Sequence, residues 1–256
     1  MRLSRLHPRY ESLRIRDKLV KGFKEGIVVE HGLLAHGRGE AFDYLLGERT
    51  QDFALEAIKA SVASLLLSNY PLISVNGNFA ALCSRDIVRL SKLIKAKIEV
   101  NLFHRTLERE KKIEALLIKQ GAKEVLGVGE RAKAKIEGIA SKRAKVDPEG
   151  ILKANTILLA LEDGDRTEAL RKLGKRIIAI DINPLSRTAK MANITIVDNC
   201  VRALPLMVKQ AKVMKTFDKG ELREILKNFN NEKNLSRALK FISFRLRNLE
   251  RDSWIA

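Results

Sequence analysis

Cysteine and aromatic residues are scarce in this 256-residue sequence, which has two cysteines, one tryptophan and 5% aromatic residues in all. Cys83 and Cys200 are too few for a disulfide framework and are typical of small core residues in a reducing compartment. The first ten residues lack an apolar segment, so no secretory signal is predicted. The most apolar stretch, 60–75, is interrupted by Ser, Asn and Pro, so no membrane span is predicted. We therefore expect a soluble cytoplasmic protein.

Several nucleotide and metal motifs are also missing. No Gly-x-x-x-x-Gly-Lys-Ser/Thr string is present, which excludes a Walker-type ATPase. The string 127–132 matches Gly-x-Gly-x-x-Ala, but no strand with an acidic end follows about 20 residues later, so a dinucleotide fingerprint is not favoured. His31 and His36 are five residues apart and lack a third ligand nearby, so no zinc site is predicted.

Positive charge is abundant: 49 Lys and Arg oppose 31 Asp and Glu, for a net charge of +18. The excess is spread along the chain, with a modest concentration at its C-terminal end. Two interpretations remain open, namely a solvated Lys-rich surface and a positive field that attracts polyanionic small molecules. Nucleic-acid binding is less favoured, because the basic residues form no stripe with interleaved aromatic residues.

Short β-rich runs alternate with helical segments through the middle of the chain. This alternation predicts an α/β fold with a Rossmann-like, mostly parallel sheet and helices on both faces. The predicted strands are 72–75, 97–103, 124–128, 156–161, 176–180 and 194–197, and the predicted helices between them are 85–96, 106–120, 130–144 and 166–173. We expect a single domain, 1–256, with an N-terminal helical and loop segment (1–70), a sheet core (71–200) and C-terminal helices (201–256).

Both flanking segments have helical patterns. Helices are predicted at 9–26 and 51–69, the second one buried, with a glycine-punctuated loop at 30–40 between them. At the other end, apolar residues recur with helical spacing, which fits either packing on the same domain or a dimer seam. The residues of this stripe are Leu235, Leu239, Ile242, Leu246 and Leu249.

Polar side chains follow five of the predicted strands. Because the carboxyl ends of parallel strands share one edge of the sheet, we expect these side chains to form a ligand site there. Asp181 is placed to accept hydrogen bonds from a ribose or a base, and Asn183 to contact an adenine edge. Arg187 and Thr188 begin a short helix and can bind phosphate. Each residue taken singly also fits an ordinary turn.

Long strings of the sequence resemble one family, the archaeal phosphopantothenate synthetases, also called 4-phosphopantoate–β-alanine ligases. The strings occur in order and span residues 7 to about 205, most of the chain. They are 7–10 with Arg16, 32–50, 73–78, 101–103 with Arg105 and Thr106, 161–170, 181–187 and 194–199. The resemblance implies a homodimeric enzyme with a Rossmann-like core. Its expected reaction joins 4-phosphopantoate to β-alanine and cleaves ATP to AMP and pyrophosphate with Mg²⁺, on the route to coenzyme A.

The resemblance also implies roles for individual residues. The residues expected to contact ATP are Arg16, Arg38, Asp181, Ile182, Asn183, Arg187, Thr188 and Asn199, and Arg38 and Arg187 are the expected catalytic residues. We place 4-phosphopantoate at the ends of the first two strands, near Asn76, Asn78, His104, Arg105 and Thr106. Metal ligands stay unassigned, with Glu162, Asp163 and Asp165 as possibilities. His104 is a candidate for the general base, and the alternative is that it is a solvated residue at the strand end.

Two other functions compete with the ligase. One is a basic nucleotide- or RNA-binding α/β protein without ligase activity, whose affinity falls steeply with salt. The other is a different ligase or a kinase on the same scaffold, for instance one that phosphorylates pantoate. The nucleotide product distinguishes the AMP-forming ligase from a kinase, which would form ADP.

Overall fold

The computed structural model describes residues 6–7 and 9–251, so Pro8 of the string 7–10 lies outside the described residues. Seven strands are present in these ranges: β1 (Pro71–Val75), β2 (Lys97–Val100), β3 (Ala134–Lys135), β4 (Lys145–Val146), β5 (Thr156–Ala160), β6 (Arg176–Ile180) and β7 (Ile194–Ile196). Five of them form a parallel sheet in the order β2–β1–β5–β6–β7, and β3 pairs with β4 in an antiparallel hairpin. This confirms the predicted α/β class and parallel sheet.

Helices flank the sheet and form both ends of the described chain. They are α1 (Tyr10–Lys24), α2 (Glu30–Leu46), α3 (Asp52–Leu67), α4 (Gly77–Ile94), α5 (Leu107–Lys119), α6 (Gly164–Lys172), α7 (Arg187–Met191), α8 (Cys200–Met214), α9 (Lys219–Lys227) and α10 (Asn231–Arg251). No helix in the described ranges is long and apolar enough to cross a membrane. Cys83 and Cys200 are buried and free.

The strands divide the hydrophobic core into two clusters. β1 and β5 are buried along their whole length, as expected for central strands of a parallel sheet. Because successive side chains point to opposite faces, Ile73 and Leu158 join the larger cluster, and Leu72 and Ile157 join the smaller one. The larger cluster contains side chains of α1, α3, α4, α8 and α10, and α6 packs in the smaller cluster. Helices therefore cover both faces, as predicted.

The strand order places a topological switch point between β1 and β5. From β1 the chain first moves outward to β2, and it later returns to β5 and continues outward in the other direction. The connections on the two sides of the switch point diverge, which leaves a crevice outside the carboxyl ends of β1 and β5. In doubly wound sheets this crevice is the usual ligand site.

Residues 30–40 are helical, so the predicted glycine loop is wrong. Gly32 and Gly39 lie inside α2. A Cβ atom on Gly32 would lie 2.3 Å from Oδ1 of Asn78, whereas one on Gly39 would meet Ile182 at an ordinary contact distance of 3.5 Å. Gly32 therefore serves close tertiary packing rather than a flexible backbone.

The predicted strand 124–128 and helix 130–144 are also wrong. Leu126 makes one parallel bridge to Glu99 beside the edge strand β2. The chain then turns at Gly127 (φ 78°), where a Cβ atom would lie 2.6 Å from the carbonyl oxygen of Val100. From there it forms a 3₁₀ turn at Gly129–Arg131, the β3–β4 hairpin and a second 3₁₀ turn at Lys142–Ala144. Tertiary contacts replace the local helical preference in this segment.

Helix α10 packs on its own domain through part of the predicted apolar stripe. Leu235 and Ile242 are buried in the larger core cluster, whereas Leu239 and Leu246 are exposed. The side chain of Leu249 lies outside the described residues. The first of the two predicted roles, packing on the same domain, therefore applies to the buried half of the stripe.

A carboxylate is buried below the sheet edge. Glu99 on β2 is 0% exposed and accepts hydrogen bonds from the backbone N–H groups of Asp147 (3.2 Å) and Ile151 (2.6 Å). Its burial raises its pKa to about 7, although these hydrogen bonds oppose the shift. Gly150 leaves the space that the carboxylate occupies, because a Cβ atom there would lie 1.9 Å from Oε2.

We predict that Glu99 makes the stability of the protein depend on pH. The carboxyl group has a pKa of about 7 in the folded state against 4.5 for its ordinary value, so the folded state binds the proton more tightly. Relative to Glu99→Gln, the wild-type protein should lose about 3 kcal/mol of unfolding free energy as the pH rises from below 4.5 to above 7. Urea unfolding at about pH 5 and pH 8 measures the change. Glu108→Gln, at an exposed carboxylate, is the control, and parallel pH profiles for wild type and Glu99→Gln would contradict the prediction.

Candidate active site

The crevice at the switch point contains a cavity of about 530 Å³, within the usual range for small-molecule sites. It lies outside the carboxyl ends of β1, β2 and β5 and is closed by the first half of α2. A wider groove of about 770 Å³ lies at the amino ends of β5, β6 and β7, on the opposite edge of the sheet. Parallel sheets bind ligands at their carboxyl ends, so the cavity is the candidate active site.

Asn76 joins the two strand ends that border this cavity. Its Nδ2 donates to the carbonyl oxygens of Ala160 (2.7 Å) and Leu161 (3.1 Å), and its Oδ1 caps α4 by accepting from the N–H of Phe79 (3.0 Å). Leu161 has a left-handed backbone (φ 53°), a conformation that is unfavourable for a residue with a Cβ. The amide of Asn76 therefore holds the end of β5 in a strained turn at the floor of the cavity.

Asn78 attaches α2 to the start of α4. Its Nδ2 donates to the carbonyl oxygen of Gly32 at 2.7 Å. Because Gly32 has no side chain, the two helices approach closely at this point. The wall that α2 contributes to the cavity is thus fixed by Asn78, one of the residues predicted at the substrate site.

Three guanidinium groups line the cavity against one carboxylate. Arg38 has no hydrogen-bond or ion-pair partner in the part of the chain that the structure describes. Arg109 donates to the backbone oxygens of His104 and Ile27, while its Nε is buried without a partner. Burial, together with the nearby Arg143, lowers the pKa of Arg109. The excess of cationic donors favours an anionic ligand.

The third guanidinium, Arg143, belongs to a buried chain of charges. It pairs with Glu162 (2.5 Å) and with Asp163 (2.6 Å), the carboxylate that lines the cavity. Glu162 also pairs at 2.5 Å with Arg166, which is 0% exposed and reaches the hydroxyl of Ser74. Breaking one pair would leave an uncompensated buried charge, so these ion pairs hold Arg143 in one position.

Two imidazole rings are in contact beside the cavity. The ring centroids of His31 on α2 and His104 after β2 are 4.3 Å apart with their planes tilted by 33°, and Phe103 meets His104 edge-on at 5.1 Å. Burial, followed by the nearby His31 and Arg109, lowers the pKa of His104. His104 therefore remains an unprotonated base at a lower pH than an ordinary histidine.

A narrow slot of about 20 Å³ adjoins the cavity, and Leu161 lines both. Ile182 and Asn199, predicted to contact ATP, lie in this slot together with Glu40 of α2. The carboxylate of Glu40 accepts a hydrogen bond of 2.7 Å from the predicted ATP contact Arg16. Because a space of this size admits little more than a water molecule, the slot is closed to a nucleotide in this conformation.

Of the remaining predicted ATP contacts, Arg38 lines the large cavity, and four line neither space: Asp181, Asn183, Arg187 and Thr188. Asp181 accepts from the hydroxyl of Ser186 and from the N–H of Asn183 (2.9 Å), and burial raises its pKa. Arg187 is exposed and pairs with Glu168. The remaining two also have local partners: Thr188 donates to the carbonyl oxygen of Glu162, and Asn183 accepts from the N–H of Leu185. The structure thus gathers this group at one edge, but with its polar atoms engaged.

Arg105 and Thr106 do not line the cavity. The guanidinium of Arg105 is buried, pairs with Glu110 and donates to the carbonyl oxygens of Lys145 (2.7 Å) and Gly127. Thr106 caps α5 by accepting from the N–H of Arg109 (3.3 Å). Both residues hold the loop that follows β2, and their contact with the substrate stays a prediction.

We predict that Arg105→Met destabilises the protein strongly. It leaves the buried carboxylate of Glu110 without its cation, a change that typically costs about 3–5 kcal/mol. Arg89→Met, which removes the half-exposed partner of Asp86, should cost about 1 kcal/mol or less. Urea unfolding of both variants measures the difference. Equal stabilities would show that the Arg105 pair adds nothing to the fold.

Sequence reasoning did not identify Arg109 and Arg143 as site residues, and it assigned His31 no role. Arg109 and Arg143 fall in segments predicted to be helical, and His31 in the segment predicted to be a loop. None of them directly follows a strand, which was the signal used to find the site. In the described residues no group of three side chains is arranged to hold a metal ion.

The fold and the cavity together define a doubly wound α/β protein with a cation-lined site at its switch point. The chain belongs to the phosphopantothenate/pantothenate synthetase family, whose model matches residues 53–245. It is 50% identical to the 4-phosphopantoate–β-alanine ligase of Thermococcus kodakarensis over 95% of this chain and 93% of that protein. The ligases of the same name from Thermococcus onnurineus and Methanosarcina mazei are each 48% identical, over 97% and 95% of this chain and 95% of each relative. The resemblance seen in the sequence is thereby confirmed.

Proposed function

We propose that this protein is an ATP-dependent ligase that joins the carboxylate of 4-phosphopantoate to the amine of β-alanine, with AMP and pyrophosphate as the other products. The observation that carries the proposal is the cation-lined cavity at the switch point, in a chain up to 50% identical to ligases of that name. The reaction requires two polyanions to be held side by side, and a cavity adjoining a second pocket suits that requirement.

The large cavity matches the chemistry of 4-phosphopantoate. This acid has a phosphate, a carboxylate and a central carbon with two methyl groups. Arg38 and Arg109 offer free donors for the anionic groups, and Leu34, Leu102 and Leu161 form an apolar wall for the methyl groups. A pocket that is mainly apolar with a few placed polar groups is typical of small-molecule sites.

The narrow slot is the proposed nucleotide site, and it must open for ATP to enter. Glu40 lines the slot and pairs with Arg16, and the side chains of Arg16 and Glu40 are 42% and 12% exposed. A triphosphate carries more negative charge than one carboxylate, so it can displace Glu40 and take its place on Arg16. Asp181, Asn183, Thr188 and Asn199 stay in the proposal as contacts of the ribose, base and phosphates.

Arg38 lies where the two sites meet. It lines the large cavity, and the next two residues of α2, Gly39 and Glu40, line the slot. A guanidinium in this position can stabilise the charge that develops on the α-phosphate when the carboxylate attacks it and pyrophosphate leaves. Arg187, the second proposed catalytic residue, first has to release Glu168. The amine then displaces AMP from the acyl-adenylate.

Mg²⁺ enters this proposal as part of the MgATP substrate. The carboxylates near the strand ends do not fit a dedicated metal site, because most are already engaged within the chain. Glu162 and Asp163 pair with Arg143, and Asp198 pairs with Arg202. Magnesium bound mainly by phosphate oxygens and water needs few protein ligands.

The assembly and location of the protein also belong to the proposal. We expect one domain, 1–256, because a single hydrophobic cluster joins Leu19, Ile73 and Leu235 from its three segments. We expect a homodimer, since the exposed Phe244 and Leu246 of α10 offer apolar surface to a second copy. A cytoplasmic location fits the two free, buried cysteines.

The ligase proposal predicts that AMP forms only when ATP, 4-phosphopantoate and β-alanine are all present. Coupled detection of AMP, with each substrate omitted in turn, measures this directly. ADP as the nucleotide product would favour the kinase alternative. RNA binding that falls steeply with salt, without any AMP formation, would favour the nucleic-acid alternative.

We predict that Arg38→Ala lowers kcat/KM by about 10²-fold, because it removes one donor to the reacting phosphate. The guanidinium has no partner in the described residues, so the melting temperature should not change. Arg171→Ala, at an exposed arginine of α6 outside both pockets, should retain wild-type activity. Activity of Arg38→Ala within a few-fold of wild type would exclude this role.

A further inference from the structure

We propose that His104 is the general base that takes the proton from the amine of β-alanine, and that His31 positions its ring. The inference rests on the proposed ligase function and assigns the amine step, for which the sequence left the base open. It stands on the contact between the two rings at the wall of the large cavity.

The ring of His104 is held from two sides. His31 contacts it with centroids 4.3 Å apart, and Phe103 meets it edge-on at 5.1 Å. The backbone is held as well, because Arg109 donates to the carbonyl oxygen of His104 and, at 2.8 Å, to that of Ile27. A base held in this way can meet the amine in a fixed geometry without losing much further freedom.

The charged groups around His104 favour its neutral form. Glu30 and His31 face it from α2, Arg109 from α5, and Lys142 from the 3₁₀ turn before β4. Glu30 favours the protonated ring, but burial and the three other groups outweigh it and lower the pKa of His104. An unprotonated imidazole at neutral pH is the form that a general base requires.

The other titratable groups of the cavity are less suited to this step. Asp163 is paired with Arg143 at 2.6 Å, which ties its carboxylate to a cation. The arginines are permanently protonated and cannot accept a proton. Within the cavity lining, His31 and His104 are the two imidazoles, and His104 is the one whose ring and backbone are both held.

The proposed step balances in atoms and charge. The amine of β-alanine is an ammonium group at neutral pH, and it first gives one proton to the unprotonated ring nitrogen of His104. The unprotonated amine then attacks the carbonyl carbon of the acyl-adenylate, and a C–N bond forms. The C–O bond to the α-phosphate breaks, AMP leaves with the electron pair of that bond, and the nitrogen loses its second proton to water. The imidazolium also returns its proton to water.

The test separates the amine step from adenylation by measuring three reactions of His104→Asn. Exchange of pyrophosphate into ATP with 4-phosphopantoate present reports adenylation, and it should stay within a few-fold of wild type. Amide formation with β-alanine should fall by about 10²-fold or more. Formation of the hydroxamate with hydroxylamine, which is largely unprotonated at neutral pH, should stay close to wild type because it needs no base.

Two further variants complete the experiment. His7→Asn, at an exposed histidine outside the cavity, is the matched control and should leave all three reactions unchanged. His31→Asn should shift the acidic limb of the pH profile with β-alanine, because that limb reports protonation of His104. A merely structural role for His31 would lower activity at every pH without moving the limb, and that result would overturn its part in the proposal.

The outcomes distinguish this inference from the ligase function. A β-alanine rate unchanged in His104→Asn would overturn the inference. Parallel losses of exchange, amide and hydroxamate would also overturn it, because His104 would then act in adenylation or in folding. If the wild-type protein shows no exchange of pyrophosphate into ATP that depends on 4-phosphopantoate, the ligase proposal itself is contradicted, and the proposed general base with it.

Discussion

The side-chain amide of Asn76 connects two strand ends at the point where the order of the sheet reverses. Its hydrogen bonds to Ala160 and Leu161 hold β5 beside β1 beyond the last ladder contact, and they stabilise a left-handed leucine. A left-handed residue other than glycine costs about 1–2 kcal/mol, which these buried hydrogen bonds can offset. The shape of the cavity, and the shared wall between it and the slot, depend on this turn.

A second constraint is the line of alternating charges that runs from the sheet to the cavity. It begins near Glu99 and continues through Arg166, Glu162 and Arg143 to Asp163. Desolvation makes such networks weak contributors to net stability, but removing one member is costly. The arrangement therefore permits few alternatives for the guanidinium that faces the ligand.

The fold class and the edge of the sheet that holds the site could be predicted, because buried parallel strands are uninterrupted apolar runs with polar residues at their ends. The α2 helix could not be predicted, since Gly32 looks like a loop residue until the close approach of Asn78 is known. Arg105 follows a strand as a ligand-binding residue would, yet its partner Glu110 lies on the next helix. Side-chain pairing of this kind leaves no trace in local sequence patterns.

Helix α2 is at once a wall of the cavity, through His31 and Arg38, and a wall of the slot, through Gly39 and Glu40. In the proposed function, any movement of the helix that admits the nucleotide to the slot also reshapes the space for the acid in the cavity. The two ligands would then be thermodynamically linked, and each would change the affinity of the other by the same factor, commonly equivalent to about 1–3 kcal/mol. A single helix of seventeen residues is enough to couple the occupancy of the cavity to that of the slot.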